Sequence, residues 1–191
     1  MMVRKSALIA FAAGSLTFLG QGPVAHAAKP NDTQTAETQI NPHYGERVRG
    51  RVINNEGERV GDIWAWQGNG GVLLQVRLHG LPSEAHGIHI HQTGSCGDIG
   101  AFKESGGHVG KSDAPHGILH PGGPHKGDLP NIFVNADGTA KADIFSPLIN
   151  ITDFRDIDGA AIIIHTAGDD YQTQPIGNAG KRIACSVFPG R

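Results

Sequence analysis

The chain is 191 residues long, enough for one domain with a substantial core. Its 16 Lys and Arg are interspersed with 18 Asp and Glu for a net charge of −2, so the linear sequence carries no basic stripe and argues against a nucleic-acid partner. Its 28 glycines, about twice the usual share and without a G-X-Y period, exclude a collagen-like fibre and imply many turns, and eleven histidines make metal the first question.

At the N-terminus Arg4 and Lys5 precede an apolar run from Ala7 to Leu19, and Ala25-His26-Ala27 forms an A-x-A site. This pattern predicts a signal peptide over residues 1–27, cleaved between Ala27 and Ala28. The expected product is secreted or periplasmic and makes no membrane contact after cleavage, since no later apolar run reaches the roughly 18 residues of a spanning helix. Losing Arg4 and Lys5 takes the net charge from −2 to −4. Residues 28–46 are polar and aperiodic, which predicts a disordered arm. His43 in that arm has no companion with which to form a site.

Residues 47–191 read as one β domain of short runs separated by turn residues. Val48, Val52 and Ile53 belong to the first run, and Asn54-Asn55-Glu56-Gly57 turns the chain. In the second run, Val60 to Trp66, period 2 places Trp64 and Trp66 on one face and Ile63 and Ala65 on the other. Val72, Leu74, Val76 and Leu78 alternate in the third, and Gly87 to His91 is the fourth. The Gly/Pro/His-rich stretch from Thr93 to Pro130 has no periodicity, and a loop of that length calls for a function or a metal clip. Ile132 to Val134 and Thr139 to Ile144, joined through Asn135-Ala136-Asp137-Gly138, read as a hairpin. Ala160 to Ile164 is a continuous apolar strand, Asp169 to Gly180 a second long loop, and Arg182 to Phe188 the last strand. The expectation is an all-β, eight-stranded Greek-key sandwich or flattened barrel with two long loops.

His89 and His91 stand two apart on a strand, so both rings share one face and make a pre-set metal edge. His165 ends the buried strand. The long loop adds His108, His116, His120, His125 and Asp128. Three histidines and an aspartate would fill a tetrahedral zinc completely and leave it no open position, as in a structural site. The remaining imidazoles form a nitrogen-only set that suits copper. Spacing thus suggests a redox metal on strands and a structural metal in a loop, without assigning each histidine. The two cysteines, Cys96 and Cys185, allow a single bridge in an oxidising compartment, two free thiols being the other arrangement.

Gly87-Ile88-His89-Ile90-His91-Gln92-Thr93-Gly94 and Gly177-Asn178-Ala179-Gly180-Lys181-Arg182-Ile183-Ala184-Cys185 resemble the two signatures of the copper/zinc superoxide dismutase family. Between them, Gly106-Gly107-His108, Pro115-His116-Gly117 and Pro124-His125-Lys126-Gly127-Asp128-Leu129-Pro130 resemble the family's zinc loop, especially in its bacterial branch. The resemblance implies copper held by His89, His91, His108 and His165, and zinc by His108, His116, His125 and Asp128, with His108 bridging the two. It further implies Asp169 as the carboxylate linking a copper ligand to a zinc ligand. Arg182 would be the arginine at the mouth of the channel, and Cys96–Cys185 the disulfide. Pro175-Ile176 stands where eukaryotic members carry a Lys-Thr pair. His79, His86 and His120 match no ligand and read as strand-end or loop-surface positions.

The implied activity is dismutation of superoxide to dioxygen and hydrogen peroxide, with Arg182 and His108 as the working residues. A homodimer is one of the assemblies the family uses. The alternative is a secreted copper-binding or storage module on the same scaffold, without turnover.

Overall fold

The computed structural model describes residues 40–190, so the expected signal peptide and residues 28–39 of the expected arm lie outside the described residues. Among the described residues nine strands follow in chain order: β1 (Arg47–Asn54), β2 (Arg59–Gly68), β3 (Gly71–Leu78), β4 (Ala85–His86), β5 (Ile88–His91), β6 (Ile132–Phe133), β7 (Ala140–Ser146), β8 (Ala160–His165) and β9 (Arg182–Phe188). Seven form one curled antiparallel sheet in the order β5-β8-β9-β1-β2-β3-β7, and the short β4 and β6 pair separately. Among the described residues the only helical turns are two 3-10 turns, Lys103–Ser105 and Ile151–Phe154.

Alternation decides what each strand buries. Val72, Leu74 and Val76 on β3 are fully buried, as are Ile63 and Ala65 on β2 and Val52 on β1. They meet Ile88, Ile90, Ile162 and Ile164 from the other end of the sheet in one core, because the sheet curls its two halves toward each other. β8 is buried along its whole length, as the unbroken apolar run predicts. Its second face packs Ala161 and Ile163 against Phe102 and Cys185. The Cys96–Cys185 disulfide fastens the covering loop to β9 there.

Two expectations are corrected. Asn135 to Thr139 makes a tight turn, with Asn135 N–H donating to Thr139 O at 2.8 Å, but no hairpin follows from it. β6 pairs with β4, whereas β7 pairs with β3, so the two arms of the turn run into different sheets. The end of the segment expected to be disordered is anchored on the fold. Asn41 N–H donates to Asn69 Oδ1 at 2.6 Å, Gly45 N–H donates to Gln67 O at 2.9 Å, and Glu46 pairs with Arg155. Backbone hydrogen bonding to the β2–β3 turn and one ion pair order this stretch without any apolar periodicity.

Candidate metal centre

β5 is the edge strand of the large sheet, and it places the first two donors. Ile88 and Ile90 enter the core, so His89 and His91 project together from the opposite face. His165 closes β8 on that same side, where the pairing with β9 shifts register between Ile164 and His165. The long loop supplies the fourth histidine by docking on the open edge of β5. Val109 N–H donates to Ile90 O at 2.9 Å and Ile90 N–H donates to Gly127 O at 2.8 Å. A Cβ on Gly127 would lie 2.2 Å from Ile90 O, so only glycine permits this approach. The docked loop sets His108 beside His91.

Four ring nitrogens converge as a result. His89 Nδ1, His91 Nε2, His108 Nε2 and His165 Nε2 are all buried and lack a hydrogen-bond partner among the described residues. Buried polar atoms are ordinarily paired, so four orphaned lone-pair nitrogens aimed at one point fit a metal ion. The opposite ring nitrogens hold the rings in place. His91 Nδ1–H donates to Gly106 O at 2.9 Å, His165 Nδ1–H to Gly180 O at 3.1 Å, and His89 Nε2–H to Asp169 Oδ2 at 2.7 Å. Such partners fix which nitrogen remains free to ligate.

A second group stands beside the first. His108 Nδ1 lies 3.1 Å from His125 Nδ1 and 2.9 Å from Asp128 Oδ1, which is itself 2.9 Å from His116 Nδ1 and 3.5 Å from His125 Nδ1. Around a tetrahedral ion with bonds near 2.0 Å, neighbouring donors lie about 3.3 Å apart, so these separations fit one ion. The other Asp128 oxygen accepts the Gly117 and His125 backbone N–H groups at 2.7 and 3.0 Å, closing the loop around its own ligands. His108 therefore presents one nitrogen to each group. Asp169 ties them from outside, accepting from His89 Nε2 and, at 3.2 Å, from His116 Nε2. The second loop closes over this carboxylate at Gly177, whose φ of +60° and place against Asp169 exclude a side chain.

The protein's own field differs between the groups. Burial pushes the pKa of His89 down to about 4 against its bond to Asp169, pushes His165 down to about 3, and holds His91 well below its ordinary value. Those imidazoles are neutral at pH 7, with lone pairs ready to ligate. Burial also opposes charge on His116, but its hydrogen bonds to Asp128 and Asp169 prevail and raise its pKa to about 9. Burial works against both carboxylates as well. Their histidine hydrogen bonds outweigh it and hold Asp128 and Asp169 far below the usual range.

Arg182 occupies the approach. Its Nη1 donates to Phe102 O and to Ser105 Oγ, the latter at 3.0 Å, and Nη2 donates to Gly106 O at 2.8 Å. The guanidinium is thus fixed to the loop that the disulfide fastens. It lines a cleft of about 470 Å³ with His165, Lys103 and Lys181, and an adjoining one of about 430 Å³ with His91, His108 and Lys111. Pro175 and Ile176 add apolar wall to the second cleft. Four cations thus gather at the opening of a chain with net negative charge, and a cleft focuses their field on an entering anion.

Every residue picked out from the sequence as a ligand or second-layer carboxylate meets here. Two contributors were missed. Ser105 Oγ lies between Arg182 and His91 Nδ1, 3.0 and 3.3 Å away. Its only signal is its place just before Gly106-Gly107-His108. His86, expected at a polar strand end, is fully buried. Its ring spans the carbonyls of His165 and Pro82 at 2.7 and 2.9 Å, bracing the backbone of a candidate ligand. His79 is exposed, His120 is half-exposed at the loop surface, and His43 pairs with Glu46 at 2.8 Å.

Comparison with known proteins agrees with this chemistry. The family model for copper/zinc superoxide dismutase (SODC) matches residues 59–188. The chain is 41% identical to a Cu-Zn superoxide dismutase of Caulobacter vibrioides over 144 residues, covering 72% of this chain and 82% of that one. It is 38% identical to Cu-Zn superoxide dismutase 2 of Aquifex aeolicus over 149 residues, covering 74% and 86%. The crystal structure of a SOD-like protein from Bacillus subtilis superposes with a TM-score of 0.68 at 35% identity, covering 73% of this chain and 97% of that one.

Proposed function

The chain belongs to the copper/zinc superoxide dismutase family, and from that premise we propose how its residues divide the work. The protein is a superoxide dismutase that uses copper and zinc. In the proposed division His89, His91, His108 and His165 hold copper, for which an all-nitrogen donor set is suited. His108, His116, His125 and Asp128 hold zinc, and their four donors leave it no open position, as befits a structural ion. The observation that carries this reading is His108, with Nε2 among the orphaned nitrogens and Nδ1 among the loop donors.

Bound copper supplies the one-electron chemistry by which two superoxide anions and two protons become dioxygen and hydrogen peroxide. The protein's part is steering, orientation and proton handling. Arg182 offers its remaining N–H groups to the anion in charge-assisted hydrogen bonds, close to His91 and His165. Lys103, Lys111 and Lys181 raise the local potential on either side of it. His108 takes up and returns a proton at Nε2 while Nδ1 stays held among the loop donors, so the ring does not drift between turnovers. Asp169 keeps His89 and His116 in their ligating orientation. The N-terminal pattern supports cleavage after Ala27 and export to the periplasm or beyond, where the Cys96–Cys185 bridge persists.

Stopped-flow decay of superoxide, run beside metal analysis of the same sample, tests this reading. The expected result is fast, copper-dependent decay at about one copper and one zinc per chain. Full metal occupancy without turnover would move the assignment to a copper-binding module.

A further inference from the structure

Among the described residues the outer face of the sheet is covered at one end and open at the other, and the open end carries a strongly positive charge pattern. Over β8 and β9 the disulfide-fastened loop packs on the sheet. Over β1, β2, β3 and β7 the outward residues form three rows. Strand register aligns Arg51, Asp62, Arg77 and Lys141 in one row, Arg49, Trp64, Gln75 and Asp143 in the next, and Arg47, Trp66, Leu73 and Phe145 in the third. With Arg59 beside Asp62, this face holds six of the chain's sixteen Lys and Arg but only three of its eighteen Asp and Glu, Asp62 and Asp143 in the rows and Asp137 at the adjoining cleft.

The cations are partly pre-organised. Arg47 lies over the Trp66 ring at 5.0 Å and Arg49 over Trp64 at 5.2 Å, within cation–π range, so both guanidiniums have aromatic supports. Asp62 is shared by Arg49 and Arg59, and Arg77 pairs with Asp143. Among the described residues Arg51 and Lys141 make no ion pair, and Arg47 has no acidic partner. At the Arg51 end a cleft of about 520 Å³ opens, lined by Arg59, Arg77, His79 and Lys141 together with Asp62 and Asp137.

We propose that this face binds a linear acidic polysaccharide, whose carboxylate or sulfate groups meet the arginines of β1 and lodge in the cleft at the Arg51 end. Arg47, Arg49 and Arg51 recur along β1 at about 7 Å, a spacing that suits an extended polymer with an anionic group on each unit or two. A second copy of this face would meet its own positive charge, so the face does not pair with itself. Single-stranded nucleic acid seeks free aromatic faces for stacking, and here Trp64 and Trp66 already carry guanidiniums. A bilayer would favour several apolar residues projecting among the cations, whereas both indoles lie half-buried and Phe145, in the row farthest from the cleft, is the one strongly exposed apolar side chain of these rows. The face lies on strands that supply no metal donor, so binding would tether the enzyme without obstructing its opening.

The only two tryptophans of the chain are Trp64 and Trp66, so intrinsic tryptophan emission reports on this face alone. The test is to titrate the metal-loaded protein with polygalacturonate, with neutral dextran, a single-stranded oligonucleotide and phosphatidylglycerol vesicles as parallel arms. The expected result is a saturable emission change with polygalacturonate that is lost in about 0.5 M NaCl. The Arg51→Glu/Lys141→Glu variant should shift its midpoint by at least about tenfold while superoxide decay is unchanged. The Arg51→Ala/Lys141→Ala pair serves the same purpose if the charge reversal impairs folding, which the decay assay reads. No saturable change, a midpoint indifferent to both variants, or a stronger response to the oligonucleotide or the vesicles would overturn the proposal.

Discussion

The two donor groups share His108 and adjoin each other, yet they are built in opposite ways. Three of the four nitrogens proposed for copper come from paired strands, and burial keeps those imidazoles neutral. The four donors proposed for zinc all come from one irregular loop, which a carboxylate gathers around itself through two backbone N–H bonds. The strand group is positioned by the fold, whereas the loop group positions the loop. The shared ring lets each arrangement constrain the other.

The largest expected effects separate the groups by what each one supports. Asp128→Ala should lose zinc and lower thermal stability by several kcal/mol, since structural zinc sites contribute roughly 10–16 kcal/mol of apparent binding free energy. His91→Ala should lose copper and turnover but keep zinc, with a far smaller change in melting temperature. Calorimetry beside metal analysis of both variants checks this, and equal losses of stability would erase the distinction.

Removing the covalent fastening is expected to cost less. Replacing Cys96 and Cys185 by serine should destabilise the protein by about 2–5 kcal/mol. It should also slow turnover, because Arg182 hangs on carbonyls of the loop that the bridge fastens. Urea unfolding and the decay assay measure the two effects separately. Arg182→Ala should leave both metals bound while slowing superoxide decay and flattening its dependence on ionic strength. An unchanged rate and salt slope would remove Arg182 from the approach path.

Asp169→Asn probes the link between the groups. An amide replaces the charged acceptor shared by His89 and His116, so both metal affinities should fall about 10- to 100-fold. Chelator competition on each metal checks it, and a change confined to one metal would mean the carboxylate serves that group alone.

The pH profile of the metal-free chain separates the groups without mutation. Unfolded histidine takes up a proton near pH 6.5, whereas folded His89 and His165 resist it until about 4 and 3, so stability falls as pH drops below about 6.5. Folded His116 keeps its proton up to about 9, so its contribution is full below about 6.5 and is lost as pH rises toward 9. The two groups thus slope in opposite directions, and urea midpoints should be highest near neutrality. A midpoint that climbed steadily from pH 5 to 9 would contradict the assignment for His116.

Much of this was legible in the residues. The alternation of Val72, Leu74, Val76 and Leu78 located β3 and its inner face. The signatures around His89 and Arg182, with the loop histidines between them, brought every candidate ligand to one place. What escaped was set by contacts remote in sequence. β6 pairs with β4 across the long loop, which no local turn signal encodes. His86 read as a polar strand-end position because its two carbonyl partners, one of them on His165, 79 residues away, leave no local signal. Half of the basic face was legible, because Arg47, Arg49 and Arg51 stand two apart on one strand, whereas Arg59, Arg77 and Lys141 join them only through register.

The central claim is that one ring, His108, serves both metals. The most direct measurement is the electron paramagnetic resonance spectrum of the copper protein before and after cobalt(II) fills the loop group. If the ring bridges the two ions, their unpaired electrons couple through it and the copper signal is lost on adding cobalt. A copper spectrum indifferent to cobalt bound at full occupancy would contradict the claim.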